Sequence, residues 1–147
     1  MSGVTVTLQP ADDSTRSHVE TVLEENDLPS RDVRSKLDCF YIGYDGADTV
    51  GVGGIEIRGT DGLLRSVAVE RSARGKGFGT AICEALETEA RAEEVETLYL
   101  LTTTAPEFFA EQGYAAIDRT GAPGPIQQTT EFDDLCPTTA TCMKKSL

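Results

Sequence analysis

Tryptophan is absent from the 147 residues, histidine occurs once (His18), and lysine only four times among 13 basic side chains. The lone histidine excludes a Ser-His-Asp hydrolase unless His18 is its base, and no GxSxG nucleophile elbow is present. Four cysteines (Cys39, Cys83, Cys136, Cys142) show no CxxC spacing, so no metal site is expected and reduced, mostly buried thiols are. No stretch approaches the roughly 18 consecutive apolar residues of a membrane span. Met1–Pro10 lacks a basic segment followed by an apolar run, so no secretory signal is expected and a cytoplasmic location is. Basic residues are outnumbered by 25 acidic ones, giving a net charge of −12 and a pI near 4.4. That field repels phosphate backbones and argues against a nucleic-acid partner. The same imbalance suits a salt-rich cytoplasm, where screening over ~3 Å at 1 M salt removes the self-repulsion.

What remains is an ordinary globular composition, 39% apolar and 26% charged, expected to fold as one domain over residues 1–147. Val4, Val6 and Leu8 alternate as a strand ended by Pro10, and Val19, Val22 and Leu23 mark one face of a helix closing near Asn26. A short second helix is expected from Ser30 through Leu37. Strands are predicted at 39–44, 50–58 and 63–69, joined by turns at 44–48 and 59–62, with Gly51, Gly53 and Gly54 marking a bulge or close backbone approach. A long helix opens at Phe78, burying Phe78, Ile82, Leu86 and Ala90 and turning its acids from Glu84 to Glu96 to water. A strand at 98–101, a short helix starting at Pro106, a strand at 114–117, a helix from Pro123 to Phe132 and a last edge strand at 142–144 complete an α+β reading.

The segment with chemical content is the strand at 63–69 followed by Arg74-Gly75-Lys76-Gly77-Phe78-Gly79 and the long helix. Glycines at a helix N-terminus let backbone N–H groups approach an anion unobstructed, and the helix dipole adds roughly +0.5 charge there. Arg74 and Lys76 add positive charge, so pyrophosphate is the natural ligand; the alternative is a plain tight turn. The Walker loop is not met because Gly77 follows Lys76, and the GxGxxG fingerprint is not met because Gly79 comes one residue early.

Leu64-Arg-Ser-Val-Ala-Val69 with Arg74 to Gly79 resembles the central acetyl-CoA motif of the GNAT superfamily of N-acetyltransferases. Ala105-Pro-Glu-Phe-Phe-Ala-Glu-Gln-Gly-Tyr114 resembles that family's following motif, AxxFYxxxGF. The resemblance implies an α+β, α/β/α-like fold: a mixed, mostly antiparallel central sheet splayed between two strands, with helices on both faces. More narrowly, Leu98 to Ala105, Gly121-Ala122-Pro123, Ile126, Glu131-Phe132, Leu135-Cys136-Pro137 and Cys142-Met143 are similar to the arsenic-resistance N-acetyltransferases.

The family resemblance implies acetyl-CoA as co-substrate and no metal. Val67, Ala68 and Val69 are expected to pair through their backbone with the pantetheine arm. The backbone from Arg74 through Gly75, Lys76, Gly77, Phe78, Gly79 and Thr80 is expected to hold the pyrophosphate, and Phe109 lies in the cofactor-side motif. The gap where the strand at 63–69 splays from that at 98–102 would admit the thioester. The neutral acceptor amine attacks the acetyl carbonyl, CoA thiolate leaves, and an N–H near Val67 meets the oxyanion.

Two departures from the family pattern stand out: Thr102 replaces a frequent asparagine, and Phe109 replaces the tyrosine that commonly protonates the thiolate. Thr102, Thr103 or a water is then the candidate hydrogen-bond donor to sulfur, and Tyr114 reads as a core aromatic. Glu56, between Ile55 and Ile57, is the candidate general base, or else a polar residue on a solvent face. Arg65, sharing parity with Val67 and Val69, and Arg34, in the short second helix, are candidate anchors for an anionic acceptor or else surface arginines. Cys136 and Cys142 form a thiol site for trivalent arsenic or are small buried residues. The acceptor expected is a small-molecule primary amine, including an amino acid or an arsenical or phosphinic analogue, with a homodimer plausible for the family. The alternatives are a CoA-binding or arsenic-responsive accessory protein with weak catalysis, and a protein N-acetyltransferase.

Overall fold

The computed structural model describes residues 5–28, 30–103, 105–129, 132 and 140–147. Seven strands, β1 (Thr7–Pro10), β2 (Phe40–Asp45), β3 (Asp48–Arg58), β4 (Asp61–Val69), β5 (Thr97–Thr102), β6 (Ala115–Ile117) and β7 (Thr141–Ser146), form one sheet in the order β1-β2-β3-β4-β5-β7-β6. Among the described residues four α-helices accompany them: α1 (Arg16–Glu25), α2 (Phe78–Ala92), α3 (Pro106–Glu111) and α4 (Gly124–Gln127). The sheet is mixed, as expected: β1–β2, β2–β3, β5–β7 and β6–β7 are antiparallel and β4–β5 is parallel. Its residues fall into two compact units, Met1–Ile55 with Ser66–Thr88, and Glu56–Arg65 with Glu89–Leu147.

In the first unit the alternation of strand side chains dictates the layering. Ile42 and Val52 are register partners and face the apolar side of α1, where Val19, Val22, Leu23, Val33, Phe40 and Ala68 join them in a buried cluster. Each large member contributes about 1.5–3 kcal/mol by leaving water. Their neighbours Gly43, Gly51 and Gly53 face the other way, against α2. A Cβ at Gly53 would stand 2.5 Å from Leu86 Cδ1, and one at Gly51 would overlap the Ala68 carbonyl oxygen and stand 2.6 Å from Ile82 Cδ1. Helices therefore cover both faces, and two of the three glycines singled out from sequence, Gly51 and Gly53, are the ones that let α2 close on the sheet.

In the second unit β5 pairs with β7 from Thr97↔Ser146 to Thr102↔Thr141, and Leu63, Tyr99, Ala122, Ile126, Phe132 and Cys142 form the core. The last strand is not the expected edge: β7 lies between β5 and β6, and β6 is the edge. Of the helix expected from Pro123 to Phe132, the α-helix covers Gly124–Gln127, Gln128 and Thr129 lie beyond its end, and residues 130 and 131 fall outside the described residues.

Three further expectations shift. The first strand is Thr7–Pro10, with Pro10 inside it opposite Tyr41; an edge strand tolerates the missing N–H, and Val4 lies outside the described residues. The short second helix is a 3-10 turn over Arg34–Cys39, kinked at Lys36. Of the α2 acids expected in water, Glu87 is buried. Among the described residues no helix is long and apolar enough to cross a membrane.

Candidate active site

The site begins with a defect in β4. Ser66 sits inside the strand at φ 60, the left-handed region, and is buried. A non-glycine residue there costs about 1–2 kcal/mol. Such outliers persist only where the surroundings impose them, and they recur at ligand sites. A left-handed residue breaks the two-residue alternation, so the parity argument that grouped Arg65 with Val67 and Val69 does not hold across Ser66. Immediately beyond lie Val67 and Val69, half-buried, and Ala68, buried. Glu70 ends the strand by donating its N–H to Val50 O at 2.8 Å and by meeting His18 Nε2 through Oε2 at 2.9 Å.

A single 3-10 turn, Arg71–Ala73, leads to Arg74 in extended conformation. Gly75 and Gly77 follow with φ of 79 and 85, values that side-chain-bearing residues rarely adopt, and Phe78 opens α2 with its ring buried. The first helical bond runs from Ala81 N–H to Gly77 O at 3.2 Å. The first-turn amides of Phe78 and Gly79 thus have no carbonyl one turn back. Left-handed glycines alternating with other residues fold the chain into a concave nest of N–H groups, a form suited to anions. Arg74, Gly75, Lys76 and Gly77 are exposed, and Gly79 and Thr80 half-buried. Beside the loop is a cleft of about 380 Å³ to which Lys76 and Phe78 contribute, with Glu70, Asp45 and Asp48 among its other walls.

Glu56 is fully buried, which removes the solvent-face alternative. Its Oε2 accepts from Arg65 Nη1 at 2.9 Å and its Oε1 from Arg58 Nη2 at 3.2 Å. Arg65 is neither a surface nor a capping side chain, since its guanidinium is as buried as the carboxylate. Arg58 was missed from sequence, although two residues along one strand put it on the face of Glu56. Arg34 is exposed and pairs loosely with Glu20 at 3.7 Å.

Thr102 ends β5, buried, and its Oγ1 accepts the Ala105 N–H at 3.0 Å. A hydroxyl that accepts one bond still has its own proton to donate. Thr103 is exposed. Phe109, half-buried in α3, packs edge-on against Phe108 (centroids 5.0 Å apart) and Tyr114 (5.9 Å). Tyr114 is a core residue, as expected, with the Lys145 ammonium 5.7 Å from its ring centroid. Cys142 is buried in β7, and burial pushes its thiol pKa above the ordinary value; Cys136 lies outside the described residues. Among the described residues no group of three or more His, Cys, Asp or Glu side chains is arranged to hold a metal ion.

A glycine loop opening a helix, after a strand broken by a left-handed residue within a mixed seven-stranded sheet, defines the acetyltransferase class of fold. The model of the acetyltransferase (GNAT) domain matches residues 36–116, and the chain belongs to this family. An amino-acid acetyltransferase of Mycobacterium tuberculosis is 33% identical over 88 residues, 59% of this chain and 47% of the relative. The chain thus spans about half the length of that curated relative. Among solved structures, N-acetylglutamate synthase from Neisseria gonorrhoeae, complexed with coenzyme A and N-acetyl-glutamate, superposes at a TM-score of 0.81 with 19% identity. That likeness covers 98% of this chain and 35% of the synthase. Rv2747 from Mycobacterium tuberculosis, in a complex that includes CoA, gives 0.78 with 21% identity over 96% of this chain and 99% of that one. At these identities the likeness is one of fold.

Proposed function

We propose that this chain is an acetyl-CoA-dependent N-acetyltransferase that acetylates the primary amine of a small molecule, with an amino acid as the leading acceptor class. The observation that carries the reading is the sequence of Ser66 at φ 60, the Val67–Val69 backbone, and Gly75 and Gly77 in left-handed conformation at the start of α2. In this reading the Val67–Val69 backbone pairs with the pantetheine arm. The loop from Arg74 to Thr80 takes the pyrophosphate, and Phe109 packs on the cofactor side.

The amine nitrogen, having lost its proton, attacks the acetyl carbonyl carbon. An N–H near Val67 meets the oxyanion, the C–S bond breaks, and the sulfur leaves with the electron pair as CoA thiolate. Thr102 donates its hydroxyl proton as a hydrogen bond to that sulfur. Glu56, directly or through a water, takes the ammonium proton. Its two guanidinium contacts favour a second role, the positioning of Arg65, and the pH profile of Glu56→Gln separates the two: loss of the acidic limb marks a base, a parallel drop marks positioning.

Arg65 and Arg34 are the proposed anchors for an anionic acceptor, the guanidinium being the side chain best matched to a carboxylate. The amino-acid acceptor is supported by the 33% identical relative, which is an amino-acid acetyltransferase. The resemblance to arsenic-resistance N-acetyltransferases extends the class to arsenical and phosphinic amino-acid analogues. Pairing of two chains is part of the reading, and gel filtration at high salt eluting at 15.8 kDa would end it.

The test is release of CoA thiol from acetyl-CoA, in molar KCl and in dilute buffer, across amino acids, polyamines, and phosphinic and arsinic amino acids. An amino-acid or analogue hit supports the reading. Silence throughout, alongside measurable acetyl-CoA binding, transfers it to a peptide acceptor or a binding protein.

A further inference from the structure

We infer that Asn26 is a positioning residue for the cofactor, joining the end of α1, the last residue of β4 and the first residue of the glycine loop; this rests on the loop and Val69 serving acetyl-CoA as proposed above. Asn26 is the C-cap of α1. The helix ends in a closed motif that does not need the Asn26 side chain. Asp27 turns left-handed at φ 57, its N–H reaches Glu24 O at 3.2 Å, and the Leu28 N–H reaches Leu23 O at 2.9 Å. This is the paired bonding of a Schellman end, normally built on glycine.

The side-chain amide adds one bond inside α1 and two outside it, using both ends. Nδ2 donates to Val22 O at 2.8 Å and, more weakly, to Val69 O at 3.4 Å. Oδ1 accepts from Arg74 Nη2 at 2.7 Å. Four residues separate Val69 from Arg74, and one amide holds both. Only a side chain with a donor and an acceptor does this. Aspartate would turn an oxygen toward two carbonyls, and alanine would reach nothing.

The consequence concerns binding rather than chemistry. The connection between Val69 and Arg74 is fixed at both ends and the glycine loop at its first residue before the ligand arrives, so less freedom is lost on binding. Arg74 is exposed, and Asn26 holds its guanidinium through Nη2, so part of its contribution to cofactor affinity runs through Asn26. His18, on the same helix, adds a second tie to the residue after Val69 through Glu70.

Calorimetry with CoA on the full chain, with acetyl-CoA kinetics beside it, tests the inference. Asn26→Ala is expected to weaken CoA about tenfold, raise the acetyl-CoA KM by a similar factor and leave kcat within twofold. A double-mutant cycle with Arg74→Ala is expected to be non-additive, the second substitution adding less than it does alone. Asn26→Asp keeps the acceptor for Arg74 and is expected to fall between parent and Asn26→Ala; it also decides the matter should Asn26→Ala not fold. Parent-like CoA affinity in the folded variants, or a fully additive cycle, overturns the inference alone. Absence of CoA binding by the parent overturns the functional reading and this inference with it.

Discussion

Arg65 Nη1 donates to Glu56 Oε2 at 2.9 Å with neither side chain exposed to solvent. Charges so placed are costly to desolvate, and their mutual attraction only offsets that cost. Removing Glu56 takes the carboxylate from a buried Arg65, whereas removing Arg65 leaves Glu56 with the Arg58 contact at 3.2 Å. Glu56→Met is therefore expected to lower stability by about 3–5 kcal/mol in urea unfolding, Arg65→Met by less because Arg58 stays on Glu56, and the Glu56→Met/Arg65→Met pair to lose less than the sum of the two. An additive double variant would show that the two residues act independently.

Ser66 tests whether the break in β4 is functional. Ser66→Gly relieves the left-handed strain while adding freedom to the unfolded chain, so stability should stay within about 1 kcal/mol and acetyl-CoA affinity should persist. Ser66→Val places a β-branched side chain at φ 60 and is expected to cost about 1–3 kcal/mol and to weaken acetyl-CoA binding in the folded fraction. Thermal melts with calorimetry read both.

Phe109 tests the missing general acid. The family pattern places a tyrosine there, and Phe109→Tyr adds only a hydroxyl to a half-buried ring already packed edge-on against Tyr114. If sulfur lacks a proton donor, kcat should rise, up to the roughly 10²-fold that a positioned acid supplies at the low end. An unchanged kcat accompanied by a loss in Thr102→Val would mean that the threonine hydroxyl already fills the role.

Most of the fold was legible because its signals are local. Val19, Val22 and Leu23 at helical spacing, the turns at 44–48 and 59–62, and glycines at 51 and 53 each state their own structure. What failed depends on neighbours. Cys142 and Met143 read as an edge strand because sequence does not say that β6 pairs outside β7. The glycine loop and Val67–Val69 were visible through their motif, whereas the Ser66 kink was not, since serine has no left-handed preference to announce it. Glu56 was found by its apolar neighbours, but its partner Arg65 needed the β3–β4 pairing, and Asn26 needed three segments brought together.

Cys142 sets the alkaline limit. Burial raises its thiol pKa above 9.0, outweighing the nearby Arg119, and burial likewise raises Tyr99 above 10.0, reinforced by Asp61 and then Cys142. Below the unfolded value both states hold the proton and stability is flat. Above it the unfolded chain releases the proton first, so stability falls as pH rises from about 9 toward the folded value. Melting temperature should be level from pH 7 to 8.5 and decline beyond 9, and Cys142→Ala should flatten the onset. A decline beginning near pH 7 would contradict the assignment.

The central claim is that the loop from Arg74 to Thr80 and the Val67–Val69 backbone bind acetyl-CoA. Calorimetric titration of the full chain with acetyl-CoA in molar KCl tests it most directly. A saturable isotherm with one site per chain is expected, weakened by Gly77→Val, which places a β-branched residue at φ 85. A flat titration with folded protein, or an isotherm indifferent to Gly77→Val, would contradict it.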